Sequence, residues 1–165
     1  FGDVEIDAEA IGGRMVPLNA PAVYSSVEAR DSMLHHEVVR ETVSLWNRLD
    51  LAVFTSGMPP DERQAVTTVW DQASPAMRAD LVRHGIVGDV LGHIFDIDGR
   101  IIEHVWTERL LTIPPDALRA IPDLVCVIAG APKIRSLVGL ARTGIPRTIF
   151  TTEATARGVL AFLAG

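Results

Sequence analysis

From Leu124 onward the chain alternates apolar runs with helix-forming stretches, joined by short connections, and this alternation constrains the fold more than any other feature. Leu124–Ala129 reads as a strand and passes through Gly130-Ala131-Pro132 into a helix over Lys133–Arg142, closed by Gly144. Thr148–Phe150 reads as a second strand and passes through Thr151-Thr152 into a helix over Glu153–Leu163. Strands joined through a helix run parallel, and the crossover between them is right-handed. The tail of the chain therefore specifies an α/β fold.

The upstream pattern extends this reading. Arg14–Leu18 reads as a short strand, with Pro17 tolerable near its end. Ser25 and Glu28 have capping-box spacing before a helix to about Leu34. Val39, Val43 and Trp46 form one face of a helix from Val38 to Leu49. Leu51–Phe54 is wholly apolar, which predicts a strand buried on both faces. Pro59 or Pro60 opens a helix to about Asp71, and Ser74-Pro75 opens another that stops at His84-Gly85. Asp98-Gly99 between His93–Ile97 and Arg100–Glu103 predicts a β-hairpin with a two-residue turn, which sets His93 opposite His104. Pro114-Pro115-Asp116 opens a short helix to about Ile121.

With 165 residues, 48% of them hydrophobic, the chain is long enough for one folded domain. No apolar run approaches the roughly 20 residues of a membrane-spanning helix, so no membrane partner is expected. The net charge of −6 is the wrong sign for gripping a phosphate backbone. The one cysteine, Cys126, lies within Leu124–Ile128, reads as a buried thiol, and fits a cytoplasmic location. His36-Glu37-Val38-Val39-Arg40 has arginine where a zinc-protease helix needs its second histidine. There is no Gly-x-Gly-x-x-Gly, phosphate-binding loop or nucleophile elbow, so no catalytic residue, metal or cofactor is assigned.

In an open parallel sheet, ligands bind beyond the carboxyl ends of the strands. Three such ends are visible: Thr55-Ser56-Gly57-Met58, Gly130-Ala131-Pro132-Lys133 and Thr151-Thr152-Glu153. Lys133 adds a cation at a helix start, which is already positive; it marks either a bound anion or a solvated surface lysine. Thr152 is accounted for as an N-cap. A glycine at 57 either makes a plain turn or lets backbone approach a ligand. His93 and His104 read as a cross-strand polar pair, since no third or fourth metal ligand accompanies them.

Several segments, in order and correctly spaced, resemble SorC-family effector domains. Gly88-Asp89-Val90-Leu91-Gly92-His93-Ile94-Phe95-Asp96-Ile97-Asp98-Gly99 resembles that family's Gly-Asp-x-x-Gly-x-Phe-Phe-Asp-x-x-Gly. Leu118–Pro122, Gly130–Lys133 and Thr151–Ala156 are similar to its Leu-x-x-Ile-Pro, Gly-x-x-Lys and Thr-Asp-Glu-Ala-Thr-Ala. Leu18-Asn19-Ala20-Pro21-Ala22 resembles its Leu-Pro-Ala-Pro-Ala. The chain departs from the family pattern at Thr55–Met58 and at Thr107-Glu108-Arg109.

The resemblance implies a Rossmann-like, mostly parallel sheet with helices on both faces and an inserted β-hairpin. It implies a sugar or phosphosugar effector held by Gly57, Asp89, Lys133 and Glu153, in a sensor rather than an enzyme. A phosphosugar isomerase or deaminase of the same superfamily is the alternative. Residues 1–165 are then expected to be part of one sugar-binding effector domain of a transcription regulator, with its DNA-contacting region and the early effector segment elsewhere. A homo-oligomer is expected. So is an incomplete pocket, with an open sheet edge and uncovered apolar surface.

Overall fold

A computed structural model describes residues 8, 11–58 and 73–165. The helix expected between Pro59 and Asp71 lies outside them. The described elements, in order, are helices α1 (Val27–Leu34) and α2 (Glu37–Ser44), a 3-10 turn at Trp46–Arg48, and strands β1 (Leu51–Phe54) and β2 (Ser56–Gly57). Next come α3 (Pro75–Arg83), strands β3 (Ile86–Val90) and β4 (His93–Asp96), and short helices α4 (Val105–Glu108) and α5 (Pro115–Ala120). The chain ends with β5 (Asp123–Val127), a 3-10 turn at Ala131–Lys133, α6 (Ile134–Arg142), β6 (Thr148–Phe150) and α7 (Glu153–Ala164).

Two sheets form among the described residues. One is parallel, in the order β1-β5-β6, and the other is antiparallel, in the order β2-β3-β4. The strand–helix–strand–helix alternation expected from Leu124 onward is realised as β5-α6-β6-α7 with parallel pairing. Phe54, Val90, Phe95, Leu124, Cys126, Leu137 and Leu140 form one core joining the two sheets through α6. A second core lies under α3, around Leu81, Ile86, Ile94, Trp106 and Leu110.

Helix starts follow their local chemistry. Ser74 accepts from the Met77 N–H with Pro75 in the first turn, and Thr152 accepts from the Thr155 N–H, as their positions predict. The first helix is capped by Ser26 rather than Ser25, because Ser26 accepts from the Ala29 N–H at 3.2 Å. Arg14–Leu18 forms no strand: residues 13–19 pair with nothing in a ladder.

The hairpin differs most from expectation. Its two-residue turn is Leu91-Gly92, between β3 and β4, where Val90 faces His93. Both turn residues have positive φ, 50° and 87°, the left-handed pair that matches the twist of the flanking strands. At Asp98-Gly99 the chain makes a three-residue loop instead. Phe95 bridges Ile101, and the Asp96 carboxylate accepts the N–H groups of Asp98 and Arg100, each at 2.9 Å. A carboxylate that closes the loop on its own backbone, with Gly99 at φ 81°, favours this register over the two-residue one. His93 therefore does not face His104.

The expectation that Leu51–Phe54 is buried on both faces also fails. Phe54 is buried, but Leu51 and Val53 are 52% and 56% exposed. Strand register puts Val127 and Phe150 on that same face, 52% and 60% exposed. Among the described residues, the parallel sheet is covered on one face only.

Candidate ligand-binding site

At the carboxyl end of β1 the chain crosses into β2, which carries Ser56 and Gly57 to the antiparallel sheet. Gly57 pairs with Asp89 on β3, and a Cβ at position 57 would overlap Asp89 Oδ1. Only glycine lets the carboxylate lie against this backbone. Asp89 is 7% exposed, and its Oδ2 accepts from the Gly92 N–H at 3.0 Å, which ties the carboxylate to the Leu91-Gly92 turn.

Lys133 approaches from the other side. It ends the 3-10 turn before α6, and its Nζ donates to the Ser56 carbonyl at 2.6 Å. Burial lowers its pKa, while the charges of Asp89 and Cys126 act in the opposite sense. The structure thus brings Gly57, Asp89 and Lys133 together around one backbone crossing. Lys133 is also the only lysine in the chain: every other member of its 15 Lys and Arg residues is arginine.

Glu153 stands apart. Thr155 Oγ1 accepts from the Gly130 N–H at 2.9 Å, which fixes the start of α7 beside the Gly130–Lys133 turn. The Glu153 carboxylate, however, takes Arg157 Nε and Nη2 at 2.9 and 2.7 Å along the exposed side of α7. An i,i+4 acid–base pair of this kind needs no ligand to account for it.

Four further side chains surround the crossing. The His93 Nε2–H donates to the Ile113 carbonyl at 2.7 Å, because a carbonyl only accepts; Nδ1 is then bare. Burial lowers the His93 pKa, with the Ile113 bond and then Asp89 opposing it, so the ring is neutral near pH 7. Cys126 is buried and its thiol is pushed up to about 11 by burial, which leaves it unreactive. Ser56 and Ser136, at 0% and 1% exposure, are buried hydroxyls that sequence reasoning did not connect. Their meeting depends on pairing across 80 positions, for which the sequence holds no local signal.

Two other clusters differ in character. Asp80, His84 and His104 bring three metal-type ligand atoms within 4.8 Å of one another. His104 Nδ1 already accepts the Trp106 N–H at 3.0 Å, so Nε2 carries the proton it gives to Asp80 Oδ2 at 2.9 Å. Both nitrogens are used, leaving no lone pair on His104 for a metal. A mostly apolar groove of about 310 Å³, lined by Arg30, Val43, Trp46, Leu110 and Pro114 among others, includes none of Gly57, Asp89 or Lys133.

A family model for a sugar-binding domain, Sugar-bind, matches residues 5–161 of the chain. The chain belongs to this sugar-binding domain family. The Transcriptional regulator LsrR of Klebsiella pneumoniae is 31% identical over 147 residues, 86% of this chain and 44% of that regulator. LsrR of an Enterobacter strain is 30% identical over 162 residues, 98% of this chain and 49% of the regulator. The sugar-binding domain therefore spans about half the length of the curated relatives it matches. Among solved structures, the sugar-binding domain of a transcriptional repressor from Vibrio fischeri superposes with a TM-score of 0.81 at 24% identity, covering 96% of this chain and 62% of that one. The full-length sorbitol operon regulator SorC from Klebsiella pneumoniae gives 0.77 at 22% identity, covering 85% and 45%. These two likenesses support the α/β fold, and the SorC-type resemblance read from the motifs is borne out. No helix among the described residues is long and apolar enough to cross a membrane.

Proposed function

We propose that this sugar-binding domain is the effector-sensing part of a bacterial transcription regulator. It takes a sugar or phosphosugar at the Gly57–Asp89–Lys133 crossing and signals to a DNA-contacting region outside these 165 residues. The observation that carries this reading is the convergence of the only lysine on a buried carboxylate and a glycine backbone, in a chain of this family. A carboxylate accepts hydrogen bonds from sugar hydroxyls, and an ammonium pairs with phosphate as a point charge. Glu153 joins the site only by leaving Arg157, so its contribution depends on the ligand drawing it inward.

Sensing rather than catalysis is the reading supported by the family match and by relatives named as transcriptional regulators. Among the described residues, the open face of the parallel sheet carries Leu51, Val53, Val127 and Phe150, and apolar surface of this kind is a binding face. The remainder of the effector domain covers it, and the domain works as a homo-oligomer in the cytoplasm. On this reading the pocket within these residues is incomplete and holds its ligand weakly.

Isothermal titration calorimetry with inorganic phosphate, sugars and sugar phosphates tests the reading. Weak binding by the 165-residue chain and tighter binding by the full-length regulator are expected, with Lys133→Ala and Asp89→Asn each reducing both. Turnover of a bound sugar, or affinity indifferent to both substitutions, would overturn it.

A further inference from the structure

Two fully buried hydroxyls sit directly behind the ligand-facing residues. Ser136, on α6 one turn after Lys133, places Oγ 2.6 Å from Ser56 Oγ and 2.9 Å from the Gly57 carbonyl oxygen. Ser56 Oγ also lies 2.8 Å from the Asp89 carbonyl oxygen. Space for this meeting is made on β3: a Cβ at Gly88 would overlap Ser136 Oγ and lie 2.9 Å from the Gly57 carbonyl. Helix α6 therefore packs closely over Gly88, which lets Ser136 reach the strand crossing.

The proton count makes the arrangement directional. Each serine hydroxyl donates one hydrogen and accepts through two lone pairs. The 2.6 Å oxygen–oxygen contact consumes one of the two hydrogens. The other goes either from Ser136 to the Gly57 carbonyl or from Ser56 to the carbonyl of Asp89 or Gly57. Either way the hydroxyls act as one unit, bracing the paired residues Gly57 and Asp89. Ser56 also supplies the carbonyl that receives Lys133 Nζ. The lysine is thus anchored to backbone that this hydroxyl pair positions.

We propose that Ser136 is a positioning residue for the ligand site: with Ser56 as its relay, it sets where the Lys133 ammonium stands. The relevance to ligand binding rests on the functional reading above, while the geometric claim does not. Apolar residues of similar volume would fill the same space. What they would lose is the coupling between α6, which carries Lys133 at its start, and the Ser56–Gly57 backbone that the lysine holds.

Because the chain has one lysine, isotope-labelled lysine gives one side-chain signal, and NMR can follow Lys133 alone. Ser136→Ala and Ser56→Ala are each expected to shift that signal and to move its titration toward the ordinary lysine range. The double variant is expected to shift it no further than the larger single change, since both hydroxyls serve one relay. Leu140→Ala, a core change with no part in the relay, is expected to leave the signal in place. If Ser136→Ala does not fold, Ser56→Ala carries the same test. An unmoved Lys133 signal in the folded variants, or fully additive shifts, would overturn the proposal.

Inorganic phosphate added to the same samples separates the two readings. The wild-type signal is expected to respond to phosphate, with affinity about tenfold weaker in Ser136→Ala, as for a weakened hydrogen bond to a charged group. Wild-type indifference to phosphate at any concentration would count against a phosphorylated ligand at this site, and the serine variants would still decide the role of Ser136.

Discussion

The two sheets of this domain are built from similar material and end in opposite environments. Strand β3, Ile86–Val90, contains an aspartate and a glycine, yet all five of its residues are buried. Strand β1, Leu51–Phe54, is wholly apolar, yet two of its four residues face outward on a sheet covered on one side. Apolar content thus does not set burial by itself; the presence of a covering layer does. The buried strand places its polar residues at the strand crossing, and among the described residues the outward face of the parallel sheet has no covering layer.

The sharpest test of this contrast is a pair of truncations. Phe95→Ala on β4, at 0% exposure, should cost about 3–5 kcal/mol in urea unfolding, the range for a large-to-small core change. Phe150→Ala on the uncovered face, at 60% exposure, should cost within about 0.5 kcal/mol in the 165-residue chain. A large cost at Phe150 would mean that the face is covered after all, and the stability would then depend on protein concentration.

Gly57→Ala should come next. It places a methyl group on Asp89 Oδ1, and overpacking of this kind costs about 1–3 kcal/mol. Denaturation of Gly57→Ala in the wild-type and Asp89→Ala backgrounds checks the cause, because the glycine change should cost little once the carboxylate is gone. Leu91→Gly runs the other way. Leu91 holds φ 50° in the β3–β4 turn, a left-handed conformation that costs a non-glycine residue about 1 kcal/mol. The glycine variant should therefore be more stable by about that much; a loss would show that the Leu91 side chain contributes packing that outweighs the strain.

The smallest effect expected is pH-dependent. Burial depresses the His93 pKa below its ordinary value of 6.5, so between the two values the unfolded chain binds the extra proton. Stability from this group is complete above about pH 6.5 and declines as pH falls through the window beneath it. His93→Gln should flatten that part of the stability–pH curve. An unchanged slope would assign the acid sensitivity to other groups.

Much of the parallel half was legible because its signals are local. Ser74-Pro75 and Thr152 cap their helices through their own turns, and β5-α6-β6-α7 follows from uninterrupted alternation. The antiparallel half was less legible because its register depends on contacts distant in sequence. Asp98-Gly99 carries a strong turn signal, but the Asp96 carboxylate sets the loop length, and the two-residue turn falls at Leu91-Gly92, where leucine gives no turn signal. Arg14–Leu18 has strand-like content and no strand to pair with among the described residues. Gly57, Asp89 and Lys133 were placed by resemblance and meet in space, whereas Ser136 carries no motif. The solitary lysine was visible in the composition from the start, and its weight emerges only beside the Ser56 carbonyl.

That solitary lysine has a practical corollary. Reagents that capture primary amines find one side chain in these 165 residues, the one at the crossing, together with whatever amine begins the polypeptide. Tethering the domain to a surface by amine coupling would therefore fasten it through the lysine of the proposed site and, on that reading, silence the response being sought. A thiol-directed tether at an added surface cysteine would leave the crossing free.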